Sequence, residues 1–325
     1  WQQGPATFPD GSFAGTEADS VGQLSLSSLV GTNLAAGVVA VAGQNTLSGS
    51  RSLTDGNRAT EWRFNNKAEV LGEWVRLDLG GERGVTQVRI LPGKTVDQRP
   101  LFYLKGYRIE VAAEDTPDDW ILAAQQIDND RPSIDTSADS TWVETGVDGQ
   151  PLPVLGRYVR VKVMREDPPN WVALGEIEVY GRGYRAQGTY DSPVFDAGRP
   201  INVGTVRFVG TTPGRTGLGV QVRTSLDSMT WAPWHQVPVW NLAAGAGGVA
   251  AQEPEPARYL QARVTVETFH PLQTPTLTAM TVAYDEQLFA SRLTGQIAPL
   301  RPVLGAETVF TYALDAQVAA TDLGF

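Results

Sequence analysis

The sequence predicts an all-β protein, and three observations carry that reading. Apolar and polar residues alternate at period two in run after run. Glycine and proline, 34 and 21 of them, break those runs into short segments. No amphipathic helix longer than a few turns can be traced. In residues 74–79 (WVRLDL) the alternation puts Val75, Leu77 and Leu79 on one face and Trp74, Arg76 and Asp78 on the other. The pattern recurs at 107–111, 158–163, 177–179, 220–223 and 259–266. Short half-buried strands between turn residues belong to β-sandwiches or barrels. With 325 residues, the chain has room for two such domains, each long enough to bury its own core.

Four segments are expected. Residues 1–32, rich in Gly, Ser, Thr and Gln, read as an irregular N-terminal arm. Residues 33–181 form a first β-sandwich, and Arg182-Gly183 makes a short linker to a second at 184–285. Residues 286–325 hold Pro299, Pro302 and Gly305 and then a strand-like run at 308–314, the start of a third β domain or a partner-binding tail. Trp1 is not an initiator methionine and the C-terminus stops at ATDLGF, so both ends look cut from something longer.

A faint internal repeat links the two sandwiches. Asp78-Leu79-Gly80 precedes Val88-Arg89-Ile90 by the interval that separates Asp196-Ala197-Gly198 from Val206-Arg207-Phe208. Each is followed by an Asp-then-Trp hairpin, ending at Trp120 and Trp231, and by an Arg-Tyr strand, at Arg157-Tyr158 and Arg258-Tyr259. A true repeat predicts two sandwiches of related strand order; the alternative is that strands with similar demands converge on similar residues.

Composition removes many chemistries. The absence of cysteine excludes disulfides, thiolate nucleophiles and Cys-ligated metals. With only His235 and His270, a His-rich metal cluster is impossible, and neither histidine has an acid and a nucleophile at motif-like spacing. There is no GxSxG, HExxH, Walker-type loop or GxGxxG after a strand. Neighbouring carboxylates such as Asp118-Asp119 are poorly disposed for the opposed placement a glycosidase needs. No enzyme is expected. The formal charge of −10 disfavours nucleic acid and anionic membranes as partners, and no apolar run is long enough for a membrane span. The aromatic run 231–240 (WAPWHQVPVW) is either a second binding surface or a loop covering a sandwich edge.

One segment carries a recognisable site. Asp55-Gly56-Asn57 is a turn sequence, and Thr60 brings a hydroxyl back to it. With Glu176 arriving from a late strand, such a turn can supply the mixed oxygens that a hard cation requires. Four motifs stand in order: NLAxG at 33–37, LTDGNxxTxW at 53–62, WVxxDLG at 74–80 and GEIEVYG at 175–181. The ordered set resembles a discoidin (F5/8 type C) domain, and most closely its bacterial relatives, the family 32 carbohydrate-binding modules, over 33–181.

The resemblance implies a jelly-roll-like sandwich with ligand loops at one end. It also implies a structural calcium held by the side chains of Asp55, Thr60 and Glu176 and by carbonyls near Asn57 and Gly175. The alternative is that Asp55 only caps its turn and Glu176 is a solvated carboxylate; Glu178 is the weaker candidate. Trp62 and Trp74 are expected to pack, and Trp120 and Trp231 to cover hairpins.

For ligand contact the expected residues are Arg63, Asn65, Arg99, Phe102 and Trp171, with Asn66 and Tyr103 beside them. Trp171 would stack on a sugar ring, while Arg and Asn serve its hydroxyls. The alternative for Phe102 and Trp171 is that they anchor their loops to the core. The expected function is a non-catalytic module of an extracellular, cell-surface or periplasmic bacterial protein that binds a glycan or surface polysaccharide. The other reading is a structural subunit of a periplasmic or surface assembly that docks proteins through its faces and terminal arms.

Overall fold

Strands form where the alternation is strongest. A computed structural model of the chain describes residues 1–43, 51–64, 70–114, 119–165, 172–237, 247–248, 254–286, 290, 292–299 and 309–320. The chain divides into a central unit, residues 27–186 and 268–273, and a flanking unit, residues 1–26, 187–267 and 274–325. The flanking unit opens the chain with β1 (Gln2–Gln3), β2 (Ser12–Ala14), β3 (Thr16–Ala18) and β4 (Leu24–Leu26).

The central unit follows with β5 (Ala40–Ala42), β6 (Trp62–Arg63), β7 (Trp74–Pro92), β8 (Tyr107–Ala112), β9 (Ile121–Gln126), β10 (Ile134–Asp135), β11 (Val154–Val163) and β12 (Ala173–Arg182). The chain then supplies β13 (Gln187–Asp191), β14 (Phe195–Thr211), β15 (Thr216–Ser225), β16 (His235–Val237), β17 (Gly247–Gly248), β18 (Ala257–Thr268) and β19 (Thr276–Asp285). A last hairpin joins β20 (Arg292–Ala298) to β21 (Thr311–Gln317). Helix among the described residues is one turn, α1 (Thr95–Gln98), and a 3-10 turn at Phe8–Asp10. The fold is all-β.

In the central unit the hydrogen-bonded order is β6-β12-β7-β11-β8-β9, with β5 and β10 also on β7. The 19-residue β7 makes this possible by changing partners along its length. It pairs with β5 at its start, with β11 from Trp74 to Val85, and with β12 from Gly84 onward. Asp78-Leu79-Gly80 sits where the β11 pairing shifts register, between Gly156 and Tyr158. Gly80 has φ +76°, open to glycine at no steric cost, and its N–H donates to Asp78 at 2.9 Å. Arg157 of β11 grips the same carboxylate with two 2.7 Å bonds. The folded-over sheet buries Val75, Leu77, Leu79, Ile90, Ile109, Val111, Val159, Val161, Ile177 and Val179 in one core. These are the faces that the alternation selects. Trp62 is buried edge-on against Phe64, centroids 4.4 Å apart.

The flanking unit repeats the device. Its order runs β16-β15-β18-β14-β19-β4-β3, with β13 and β2 continuing from β18 and β1 on β19. The 17-residue β14 pairs first with β18 and then, from Asn202, with β19. Gly198 has φ +76° and donates to Asp196 at 2.7 Å, and Arg258 of β18 grips Asp196 with bonds of 2.6 and 2.7 Å. Asp78 faces Tyr158 in the register of one unit, and Asp196 faces Tyr259 in the other. Strands β9-β8-β11-β7-β12 therefore match β16-β15-β18-β14-β19 in order. The sequence repeat is a repeat of topology.

One expected segment differs. Residues 1–26 are not an irregular arm: β1 pairs with β19, β2 with β13, and β4 with β3 and β19. Phe8 is fully buried and meets Tyr190 edge-on at 5.5 Å, while the Tyr190 hydroxyl donates to Gln3 at 3.2 Å. Residues 27–32 belong to the central unit, where Leu29 N–H donates to the Gly183 carbonyl. At the other end, β20 and β21 pair only with each other, and every residue in both strands is exposed.

Candidate functional site

The first two motifs of the central unit converge on the fourth, on β12. Asn33 opens the first motif and accepts the N–H groups of Ala35 and Val179 on one side-chain oxygen, both at 3.0 Å. Leu34 N–H returns a bond to the Val179 carbonyl at 2.7 Å. Ile177 N–H donates to the Leu53 carbonyl at 2.7 Å, which docks the 51–60 loop on the same strand. Gly37 N–H donates to the Thr54 carbonyl, joining the first two motifs directly. Three of the four weak sequence signals thus describe one packed junction.

Glu176 sits at the centre of it. It shares the face of Glu178 in the register with β7, and a bulge between Leu174 and Glu176 interrupts that register just before it. Gly175 occupies the bulge, where a Cβ would come 2.6 Å from the Pro92 carbonyl oxygen. What sets Glu176 apart from Glu178 is the loop that covers it. Glu176 is only 2 % exposed, under the 51–60 loop, and accepts the Asn57 N–H at 3.0 Å. Burial first, and then the adjacent Asp55 carboxyl, push its pKa up to about 7. Glu178 takes a different role: it accepts from Arg89 at 2.9 Å and from the Tyr180 hydroxyl at 3.1 Å.

The turn itself is an assembly of oxygens. Gly56 has φ +74°, the left-handed conformation that its turn requires. Asp55 caps the turn by accepting the Asn57 N–H at 2.8 Å. The Thr60 hydroxyl lies 2.8 and 3.0 Å from the two Asp55 carboxylate oxygens and 2.6 Å from the Asn57 carbonyl. Thr60 first, and then the Asn57 N–H, hold the Asp55 carboxyl below the usual carboxylate range.

One hydroxyl proton cannot satisfy three acceptors, and a second, buried carboxylate stands against the first. Acceptors outnumber donors here, which is the condition a bound cation relieves. Among the described residues no group of three His, Cys, Asp or Glu side chains forms a metal site. The candidate set is instead two carboxylates, one hydroxyl and backbone carbonyls, an all-oxygen set whose chemistry fits Ca²⁺ and does not fit softer ions. The Ser52 carbonyl, 3.5 Å from the Thr60 hydroxyl, is an oxygen that the motif did not reveal.

Of the residues expected at the ligand, three gather around Ala173 at the start of β12. Arg63 faces Ala173 across the β6–β12 pairing and bonds Glu61 at 2.7 Å. Glu61 also accepts the Thr95 N–H at 2.8 Å, which ties β6 to α1. Phe102 accepts the Ala173 N–H at 2.9 Å. Its ring is 3 % exposed, packed with Val96, Tyr103 and Ala173. Phe102 is therefore a loop anchor, a correction to its expected role at the ligand, because no ring face is open. The Arg99 guanidinium lies 5.5 Å from the centre of that ring, and Lys105 Nζ lies 4.0 Å from that of Tyr103. Asn65, Asn66 and Trp171 lie outside the described residues. Trp120 and Trp231 are covered by arginines, Arg160 at 4.0 Å and Arg223 at 4.5 Å, as hairpin aromatics.

Comparison with known proteins agrees with the motif order. Residues 39–177 match the family model of the F5/8 type C domain. Similar solved structures include chitosan-binding module 1 of a chitosanase/glucanase from Paenibacillus sp. IK-5, 24 % identical over 46 % of this chain and 98 % of that one, TM-score 0.33. Another is the family 32 carbohydrate-binding module of Clostridium perfringens NanJ in complex with galactose, 17 % identical over 43 % and 91 %, TM-score 0.33. A fucolectin from striped bass (Morone saxatilis) serum is 16 % identical over 78 % and 97 %, TM-score 0.35. No curated protein matches the sequence. Within the central unit, residues 39–177 are the part of this chain recognised as an F5/8 type C, or discoidin, domain.

Proposed function

We propose that the central unit is a non-catalytic glycan-binding module of a secreted or cell-surface protein, with a calcium ion held in the 52–60 loop. Asp55, Thr60 and Glu176 would hold the ion, with backbone carbonyls of the turn. The ion would supply only charge neutralisation and cross-linking, pinning the loop to β12. The observation that carries the reading is the docking of the 51–60 loop on Glu176, with Arg63, Arg99 and Phe102 gathered three residues away at Ala173. The family match at 39–177 supports the ligand class.

In this reading Arg63 and Arg99 supply planar donors to sugar hydroxyls, Trp171 and Asn65 complete the contact, and Phe102 holds the loop in place. A glycan array probed with the full chain tests it. Binding to a galacto-, N-acetylhexosamine or uronate-type sugar is expected, weakened in Trp171→Ala. An array with no positives, or a Trp171→Ala variant indistinguishable from wild type, overturns it.

One observation favours a second reading, an accessory subunit of a surface assembly. In the β20–β21 hairpin, Leu293, Ile297, Tyr312 and Leu314 lie on one face by register, each 46 % exposed or more. An isolated two-stranded hairpin is marginal in water without a covering layer. The N-terminal strands do not serve that reading, because their pairing is already used within the flanking unit.

A further inference from the structure

The flanking unit has a cleft of mixed polar and apolar lining on the outer face of its sheet. It is an open hollow of about 560 Å³ floored by β13, β15 and β18, within the range of about 300–1,000 Å³ typical of small-molecule sites. The side chains that face it come in rows. Gln187 pairs with Glu267, and Thr189 with Thr265, across β13 and β18. On the next strand, Gly217 stands beside Glu267 and Gly219 beside Thr265.

The two glycines are unusual for a strand interior, where glycine weakens the sheet and marks a close approach by something else. Here a Cβ on Gly217 would come 2.6 Å from Glu267 Oε1, and one on Gly219 would come 2.5 Å from Thr265 Oγ1. The missing side chains let the carboxylate and the hydroxyl lie flat over β15. One row further, Trp234 lies over the arginines of β15 and β18. Its ring is held by Arg223 at 4.4 Å and Arg263 at 4.5 Å. Both arginines are engaged, Arg263 with Asp191 at 2.6 and 2.7 Å and Arg223 with Gln261 at 2.6 and 3.1 Å.

The lining identifies the chemistry it would take. Among the described residues that line the cleft there is no Lys or Arg, so an anionic ligand has no counter-charge. The polar side chains facing it are an amide, two hydroxyls and a carboxylate, which suit a ligand dense in hydroxyls. Glu267 is the one charged group of the lining. We propose that this cleft is a second sugar-binding site, separate from the loop end of the central unit, and that it takes an amine-bearing oligosaccharide whose ammonium meets Glu267. The site needs no metal ion.

The experiment is calorimetric titration of the full chain, in EDTA, with the β-1,4-linked trisaccharide of glucosamine and with its N-acetylated counterpart. One site per chain is expected for the amine-bearing sugar, unchanged in Trp171→Ala. Gln187→Trp, at an exposed position, fills the cleft and should weaken binding more than about tenfold. Glu267→Gln should weaken the glucosamine trisaccharide by about three- to tenfold and leave the N-acetylated one unchanged.

No binding of either sugar at millimolar concentration in EDTA overturns the proposal. So does unchanged affinity in Gln187→Trp or in Glu267→Gln. Binding that disappears in EDTA or in Trp171→Ala belongs to the central unit and also overturns it. A melting curve confirms that each variant folds.

Discussion

Glu176→Gln is the substitution that most sharply separates a cation site from a capped turn. Without an ion, burial and the Asp55 carboxyl raise Glu176 from its ordinary 4.5 to about 7. The folded, metal-free chain therefore binds this proton more tightly than the unfolded chain does. That stability is present in full below about pH 4.5 and is lost as pH rises through 7. At about 1.4 kcal/mol per pH unit, ionised Glu176 costs the metal-free fold about 3 kcal/mol at pH 8. For a domain of this size that is a melting shift of roughly 6–12 °C.

Glutamine keeps the shape, can accept the Asn57 N–H, and can donate to Asp55 in place of the lost proton. In EDTA at pH 8 the variant should melt above wild type. With millimolar calcium at the same pH the order should reverse, because the ion stabilises only the chain that can ligate it. Differential scanning calorimetry at pH 5 and pH 8, with calcium and with EDTA, reads all four corners. A wild-type melting point indifferent to both pH and calcium would refute the reasoning.

Three further outcomes follow from named contacts. Asn33→Ala should cost about 1–3 kcal/mol by stranding the N–H groups of Ala35 and Val179, read by urea denaturation. Gly175→Ala should destabilise the central unit by about 1–3 kcal/mol, since its Cβ meets a backbone carbonyl that cannot yield. The same substitution should weaken the calcium response by shifting Glu176. In the flanking unit, Arg258 first, and then the Gly198 N–H, hold Asp196 at about 2. Its contribution is present above about pH 4 and lost as pH falls toward 2, so Asp196→Asn should flatten that limb of an acid-unfolding curve followed by tryptophan fluorescence.

How far the sequence reached depended on how local each signal is. Val75-Arg76-Leu77-Asp78-Leu79 announces its strand and its buried face, because a half-exposed strand writes its period into consecutive residues. The repeat was legible for a related reason: Asp78 and Asp196 each need a glycine two residues on and an arginine from the facing strand. Strands β1 to β4 were not legible. They are two or three residues long, too short for a period, and are specified by partners such as β19 nearly the whole chain away.

The candidate site shows the same division. Asp55, Asn57 and Thr60 lie within six residues and read as a turn, and Glu176 was recoverable only through its motif. The loop that covers Glu176 donates from Asn57, 119 residues earlier, so no local pattern marks it. Phe102 in an apolar loop sequence fits an anchor as well as a contact, and only packing distinguishes them. The flanking cleft was invisible because its residues sit on strands β13, β15 and β18, at positions 187–189, 217–219 and 265–267. Alternation alone marks those side chains as outward.

The central claim is that a calcium-pinned loop end of the discoidin-type domain presents a sugar site. Titration calorimetry of the full chain with the sugars positive on the array, in calcium and again in EDTA, addresses it most directly. The site is expected to bind in calcium, to weaken in EDTA and to weaken again in Trp171→Ala. Identical isotherms in calcium and EDTA, or no heat from any sugar while the chain is folded, would contradict it.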